Sequence, residues 1–418
     1  MKYTLVNGNV YLDGNFQKTN IVINGGRIEK IGAYEEGEIL RVDGKLIAPS
    51  FIDPHVHMRE PGFEAKETIK SGSMAAAHGG YTTCFLMPNL KPTPATVEVV
   101  TDINERIKKD SAIELFQIGS ITKDQTGLGD ELSDMEEIAP YVIGYSDDGN
   151  GVLKANTMYE AMLKAKELNK PIISHAEDKS LVRGGVVALG SYGKEHNLPM
   201  IDPISEAVEA SRNALLAYKT NCHLHLCHIS SPDSVEITKY YRDKGANITI
   251  EVTPHQLTLC DEDIKGPNFK MNPPLSTKET SAYLLEALKR GDITCIATDH
   301  APHTEEEKSR GIIKAPFGIV GIETSFPVLY TDLVLKDKLS LKMLLDNLSY
   351  NVSQIFGLPT NEITEGNYAN LVVIDLNKEY EITKEFFISK GKNSPYIGKK
   401  VKGLIEKTIY KGEFVYEA

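Results

Sequence analysis

Short runs rich in apolar and β-branched residues recur through the middle of the chain. They lie near residues 46–52, 81–87, 113–119, 141–145, 170–174, 222–227, 248–252 and 293–297. Several of the segments between them carry helical periodicity. From Ala155 to Leu168, the apolar residues Met158, Ala161, Met162, Ala165 and Leu168 fall at spacings of three and four. Glu206 to Tyr218 and Thr277 to Leu288 behave likewise. A strand that is followed by a helix and then by another strand is brought back parallel to the first. Eight such units predict an α/β chain built on a (β/α)8 TIM-type barrel rather than an open doubly wound sheet. No Gly-x-Gly-x-x-Gly follows the first run, so a dinucleotide fold has no support.

The two ends of the chain have a different texture. The first 48 residues are short β-prone runs broken at Asn7-Gly8, Asp13-Gly14, Asn24-Gly25 and Asp43-Gly44, dipeptides that suit hairpin turns. The tail is similar: Asn370-Leu-Val-Val-Ile-Asp375, then Thr408 to Tyr416 with a turn at Lys411-Gly412. Neither end has enough apolar surface for a core of its own. The expectation is a small β-sandwich domain built from both termini, residues 1–48 and 358–418, flanking a barrel over residues 49–357.

Composition narrows the function. Of 418 residues, 41% are apolar and 25% charged, which excludes disordered, collagen-like and disulfide-scaffold chains. Acidic residues outnumber basic ones by 58 to 46, a net charge of −12, which argues against nucleic-acid or anionic-membrane binding. A small anionic substrate needs only one or two local cations and stays open. The five cysteines show no CxxC pair and read as reduced, buried thiols. No apolar run approaches the ~18 residues of a membrane span. The opening residues turn polar too soon for a signal peptide, so the expected location is cytoplasmic.

In a barrel, catalytic groups stand just past the C-terminal ends of the strands. The polar residues fall in that register. The first run leads into Asp53-Pro-His55-Val-His57-Met-Arg59, the second into Met87-Pro-Asn89, and the fourth into Ser146-Asp-Asp148-Gly. The fifth ends at Ser174-His175-Ala-Glu177 and the sixth at Cys227-His228. The seventh leads to His255 and later to Asn272-Pro-Pro, and the eighth to Thr298-Asp299-His-Ala-Pro-His303. On an extended strand, His55 and His57 leave the same face and can chelate a divalent ion. Each of the other positions alone is weak. Together, a His pair, two single histidines and an aspartate at strand ends could hold two metal ions.

The remaining histidines carry ordinary structural readings. His78 ends a helix, a contact with the helix dipole, and His196 lies in a loop. His223 and His225 sit deeper in the sixth strand, as packing layers, while His255 and His300 are supporting groups near the mouth. Imidazole and carboxylate ligands suit Zn2+, and an open site of this kind lowers the pKa of bound water toward neutrality. Such chemistry points to hydrolysis of an amide, whose nitrogen must be protonated to leave. Asp299 is the candidate to take the proton from water and pass it to that nitrogen.

Phe51-Ile-Asp-Pro-His55-Val-His57-Met-Arg59-Glu-Pro-Gly-Phe-Glu64 and Ala297-Thr-Asp299-His-Ala-Pro-His303 resemble the signatures of class I dihydroorotases, members of the amidohydrolase superfamily. Met87-Pro-Asn89, Ser146-Asp-Asp-Gly149 and Asn272-Pro-Pro274 match in order and spacing, and the likeness spans essentially the whole chain. It implies the reversible cyclisation of N-carbamoyl-L-aspartate to L-dihydroorotate, the third step of pyrimidine biosynthesis. It implies one zinc on His55, His57 and Asp299, a second on His175 and His228, and Asp148 as the bridge. Other amidohydrolases use a carboxylated lysine at that bridge, and here the nearest lysine is Lys154. The substrate carboxylate is expected on Arg59, Asn89 and His303, and Asn272 on the ring amide. The segment from His303 to Gly318 is expected to cover the mouth, with the Phe317 and Gly318 backbone facing substrate. A guanidinium fork beyond the His pair suits a carboxylate on independent grounds. Met58 replaces a common leucine, a volume-conserving change. The resemblance also suggests a homodimer and an aspartate transcarbamoylase partner. The alternatives are a hydantoinase or dihydropyrimidinase, more distantly an allantoinase, and an inactive scaffold for the transcarbamoylase. The first should carry the bridging lysine and lack the Arg59 clamp, and the last should have lost metal ligands.

Overall fold

The computed structural model describes residues 1–418. The alternation in the middle of the chain becomes short parallel strands: β1 (Phe51–Val56), β2 (Tyr81–Leu86), β3 (Glu114–Gln117, resuming at Gly119–Ser120), β4 (Tyr145–Ser146), β5 (Ile172–Ser174), β6 (Leu224–Leu226), β7 (Ile248–Val252) and β8 (Cys295–Ile296). Each pairs in parallel with the next along the chain. Just past β8 the chain meets β1 again: Val56 bridges His300 in parallel, and the His57 N–H donates to the His300 carbonyl at 2.9 Å. The strands are buried almost throughout, which is why they read as unbroken apolar runs without a period-two alternation.

The helices follow from the stripe spacing. α1 (Ile69–His78) and α2 (Val97–Asp110) follow β1 and β2. α3 (Ala155–Glu167) buries Met158, Ala161, Met162 and Ala165, the stripe expected from sequence. α4 (Ile204–Thr220), α5 (Pro232–Asp243) and α6 (Lys278–Arg290) complete the set used below. Thr277 caps α6 by accepting the Thr280 N–H, and Gly291 ends it at φ +78°, where a Cβ would be strained. One apolar core runs between strands and helices, from Val56 and Leu86 to Leu224, Ile250 and Leu344.

Strands from both ends of the chain join one eight-stranded mixed sheet: Lys2–Leu12, Asn15–Asn24, Arg27–Gly32, Glu38–Arg41, Leu46–Pro49, Leu371–Glu381, Lys400–Tyr410 and Glu413–Glu417. Tyr3, Leu5, Ile21, Ile23, Val373 and Ile409 pack as its own core. The first apolar run, 46–52, therefore splits. Leu46–Pro49 pairs antiparallel with Leu371–Ile374 in the terminal sheet, while Phe51 opens β1. Ser50 is the pivot: its N–H donates to Asn370 O, and its hydroxyl shares a hydrogen bond with Thr82. No turn residue marks the pivot because both sides are buried.

Two of the expected hairpin turns are something else. Asn7-Gly8 is a bulge inside the first strand, with Asn7 at φ +64°, and a Cβ on Gly8 would lie 2.4 Å from Ile47 Cδ1. Asp43-Gly44 joins two strands that both lie parallel to the first, so it is not a hairpin. Asn-Gly and Asp-Gly supply positive φ to a bulge as readily as to a turn, so the dipeptide alone does not separate the two. Asp13-Gly14 and Lys411-Gly412 do close hairpins, and the turn expected at Asn24-Gly25 falls one residue later, at Gly25-Gly26, with Asn24 still paired to Arg27. No helix is long and apolar enough to cross a membrane.

Candidate active site

At the C-terminal ends of the parallel strands, side chains that are far apart in sequence meet in one buried cluster. The donor atoms of His55, His57 and Asp299 lie within 4.8 Å of one another, as do those of Asp148, His175 and His228. His57 Nε2 stands 3.1 Å from Asp299 Oδ1 and 3.6 Å from Asp148 Oδ2. His55 Nε2 stands 3.5 Å from both Asp148 Oδ1 and Asp299 Oδ1. Asp148 Oδ1 also lies 3.6 Å from His175 Nδ1 and 3.7 Å from His228 Nε2, so this one oxygen faces both groups of histidines. All six side chains are buried.

Several of these atoms lack a protein partner. His55 Nε2, Asp148 Oδ1, His57 Nδ1 and His228 Nδ1 are buried without a hydrogen bond. Orphaned buried polar atoms are costly unless something else satisfies them. His55 donates Nδ1–H to Glu251 at 2.6 Å, which leaves the Nε2 lone pair aimed at two carboxylates. Acceptors facing acceptors in a water-poor pocket call for a cation. Burial opposes charge on His55, yet Glu251 and Asp148 raise its pKa well above the ordinary value, so these carboxylates favour a positive charge at Nε2, a proton or a metal ion in its place. Burial works against ionised Asp148 too, and His55, His228 and His57 hold it well below the usual carboxylate range. The donor set, imidazole and carboxylate without thiolate closure, fits an open zinc-type site. Cys227 also comes near His55 and Asp148, but burial keeps its thiol well above the ordinary value.

The two adjacent aspartates divide their labour. Asp147 accepts the Ile121 and Thr122 N–H groups and the Thr122 hydroxyl, which ties it to the end of β3. Asp148 is left free to face the histidines, and its carbonyl is held by Asn89 at 2.6 Å and by Gln125 at 2.8 Å. Asn89 thus reaches the cluster through the Asp148 backbone. Lys154 pairs with Asp130 at the exposed surface. No lysine occupies the bridging position.

Beside the cluster, Arg59 sits in the left-handed region at φ +61° and donates Nε–H to Pro302 O at 3.3 Å. Its Nη2 stands 3.5 Å from His303 Nε2. Burial lowers the Arg59 pKa to about 10, so it stays charged at neutral pH. His303 donates Nε2–H to Phe317 O at 2.7 Å, while its Nδ1 faces Lys66 Nζ at 3.3 Å. Burial, together with Arg59, Lys66 and Lys308, pushes its pKa down to about 3 and keeps the ring neutral. His228 (φ +34°) and Asp299 (φ +49°) are also left-handed, so three site residues hold strained backbone. Asn272 donates to Glu177 at 3.0 Å and reaches His175 Nε2 at 3.5 Å. A cavity of about 130 Å³ opens there, lined by His175, Glu177, Glu206, Ser230 and Asn272.

The segment from 303 to 318 carries two short helices, Glu305–Lys308 and Gly311–Lys314. Gly318 is used structurally: its N–H donates to Lys270 O, and its carbonyl accepts from Lys308 and Asn393. The structural histidines find specific partners. His78 ends α1 as expected, and its Nδ1 also meets the Glu323 carboxylate at 2.7 Å. His223 and His225 share Thr249, and His300 Nδ1 accepts the Gly321 N–H at 3.3 Å.

The structure adds residues that motif reading passed over. Glu251 holds His55 Nδ1, His225 Nε2 at 2.9 Å and the His228 N–H at 3.1 Å. Its signal was present: a lone carboxylate inside the apolar run Ile248-Thr-Ile-Glu-Val252. Asp53 accepts the Thr298 N–H at 3.1 Å and the Thr298 hydroxyl, tying β1 to the chain just before Asp299.

Known proteins resemble this chain in sequence and in fold. A profile described as dihydro-orotase-like matches residues 44–234. The dihydroorotase of Fusobacterium nucleatum is 47% identical over 417 residues, covering 99% of this chain and 98% of its own. That of Bacillus subtilis is 44% identical over 425 residues, covering 100% and 99%. Among solved structures, the L-hydantoinase of Arthrobacter aurescens superposes with a TM-score of 0.89 at 23% identity, covering 100% of this chain and 96% of its own. The dihydropyrimidinase of Brevibacillus agri gives 0.87 at 23% identity, covering 100% and 95%. The structural likenesses speak for the fold alone, but near-full-length identity well above 40% speaks for more: this chain belongs to the dihydroorotase family.

Proposed function

We propose that the protein catalyses the reversible cyclisation of N-carbamoyl-L-aspartate to L-dihydroorotate. The observation that carries this reading is the convergence of His55, His57, Asp148, His175, His228 and Asp299 beside the Arg59–His303 pair, in a chain of this family. The parallel strands are read as one closed (β/α)8 barrel over residues 49–357, which the Val56–His300 bridge supports. The terminal sheet is read as a small sandwich-like domain from residues 1–48 and 358–418.

In this reading His55, His57 and Asp299 would hold one zinc, His175 and His228 a second, and Asp148 would serve both groups. Metal held there would supply Lewis acidity toward the ring carbonyl and toward water. The chain's own residues supply the rest. Arg59 pairs with the substrate carboxylate through its guanidinium fork, and neutral His303 and Asn89 complete the clamp. Asn272, beside the cavity at His175, faces the ring amide. The Phe317 and Gly318 backbone shapes the wall of the site by holding His303 and the loop that carries it.

Asp299 takes a proton from the attacking water and delivers it to the departing ring nitrogen. In the opposite direction, the ureido nitrogen attacks the side-chain carboxyl carbon, Asp299 passes the nitrogen's proton to the departing carboxylate oxygen, and that oxygen takes a second proton from solvent and leaves as water. Ring closure consumes one proton with the lost carboxylate, so falling pH favours synthesis.

The hydantoinase reading is not favoured. The lysine it requires is absent from the cluster, and Arg59 has no counterpart role on a ring without a carboxylate. The decisive assay follows the loss of L-dihydroorotate, hydantoin and dihydrouracil by absorbance, with zinc-replete and chelator-treated protein. Turnover of L-dihydroorotate that disappears with chelation is expected. Preference for dihydrouracil or hydantoin would reject the substrate, and unchanged turnover after chelation would reject the metal.

A further inference from the structure

The connection from Glu381 to Lys400, between two strands of the terminal sheet, leaves that sheet and packs against the loop after β8. It is anchored on the way by two buried carboxylates. Glu323 accepts the Ile388 N–H at 2.6 Å and the Ser389 N–H at 3.3 Å, and Glu67 accepts the Lys390 N–H at 3.3 Å and the Ser389 hydroxyl.

Beyond this anchor stands Asn393, 3% exposed, with every polar atom of its side chain engaged. Its Oδ1 accepts the His303 N–H at 3.0 Å. Its Nδ2 donates to Ala301 O at 3.1 Å and to Gly318 O at 3.0 Å. Its carbonyl accepts the Val320 N–H at 3.1 Å. Asn393 therefore ties both ends of the loop that carries His303. Two residues earlier, Gly391 lies so close to this loop that a Cβ would fall 2.6 Å from Pro302 Cβ. Pro302 in turn offers its carbonyl to Arg59 Nε.

We propose that Asn393 is a positioning residue for substrate binding: with Gly391 it fixes the backbone of Pro302 and His303, and so places His303 and Arg59 for the substrate carboxylate. This rests on the reading of Arg59 and His303 as that clamp. The hydrogen bonds of Asn393 go to Ala301, His303, Gly318 and Val320, none to a side chain of the His/Asp cluster. Their loss should therefore weaken binding and leave metal and chemistry in place. A side-chain amide is required because the same group must donate twice and accept once. Aspartate would set a carboxylate against two carbonyls.

The test compares Asn393→Ser, Gly391→Ala and His303→Ala in zinc-replete protein. KM for L-dihydroorotate, kcat and zinc per chain are measured for each. We expect all three to raise KM by about tenfold or more with zinc unchanged, and the two segment variants, Asn393→Ser and Gly391→Ala, to keep kcat within about threefold of the parent. If Asn393→Ser does not fold, Gly391→Ala decides, since it retains the Asn393 amide and disturbs the same bracing contact, its Cβ pressing on Pro302 and on Asn393 Oδ1. An unchanged KM in the segment variants, with or without loss of kcat or zinc, while His303→Ala raises KM overturns the positioning role alone. An unchanged KM in His303→Ala overturns the clamp and the positioning role with it.

Discussion

Glu251 offers the sharpest test of how the cluster is held. Its carboxylate touches no substrate, but it receives hydrogen bonds from the His55 ring at 2.6 Å, the His225 ring at 2.9 Å and the His228 backbone at 3.1 Å. Two of those partners, His55 and His228, belong to the two different groups of candidate ligands. By accepting Nδ1–H it fixes the tautomer that turns the His55 Nε2 lone pair toward Asp148 and Asp299. Glu251→Gln is nearly isosteric. The amide oxygen can keep the bonds from His55 and His228, but the amide N–H2 must face His225, and the charge is lost. Removing one charge-assisted partner of a metal-bound imidazole costs about 10- to 100-fold in metal affinity, or roughly 1.4–2.8 kcal/mol. Glu251→Ala leaves the His55 and His225 rings without their carboxylate partner and should lose about twice as much, of order 3–5 kcal/mol including stability. The assay is competition of each variant against a zinc-chelating dye, with circular dichroism to show that the fold persists. A Glu251→Gln protein that is folded and binds zinc as tightly as the parent would refute the reasoning.

Three further outcomes are expected. Asp299→Ala should lower kcat in both directions by at least about a hundredfold, because it removes the proton carrier; comparable loss in only one direction would contradict a shared proton path. Arg59→Met should raise KM for L-dihydroorotate by about 10- to 100-fold while zinc per chain is retained, as befits loss of one charge-assisted pair, and equilibrium binding by calorimetry checks it. Lys308 donates to the carbonyls of Lys270, Pro316 and Gly318, and burial lowers its pKa to about 7. The unfolded chain holds this proton to a much higher pH, so between about pH 7 and 10 it binds more protons than the folded chain, and stability rises with pH there. The slope from this group approaches about 1.4 kcal/mol per unit. Urea unfolding across that window should show the slope in the parent and its loss in Lys308→Met; identical profiles would show that Lys308 does not titrate there.

Much of this architecture was legible in the residues. The helix stripe at Met158, Ala161, Met162 and Ala165 is a local property, and it appears as drawn. The His55–His57 pair, Asp148, His175, His228 and Asp299 lie at strand ends because a parallel fold gathers those ends on one side. The split of run 46–52 was not legible, since burial on both sides of Ser50 erases any alternation. Nor did Asn7-Gly8 announce itself as a bulge, because turn and bulge ask for the same left-handed backbone.

The sequence by itself determined which groups arrive at the mouth and with what chemistry, since strand period and motif order are carried by neighbouring residues. Only the tertiary structure decided that Glu251 takes the His55 and His225 rings and the His228 backbone, and that Asn393 takes the His303 N–H. Those roles depend on hydrogen bonds between residues 90 and more than 190 positions apart, such as His303–Asn393 and His55–Glu251. No local pattern encodes such a bond; packing of the complete chain creates it, by leaving each buried donor only one acceptor within reach.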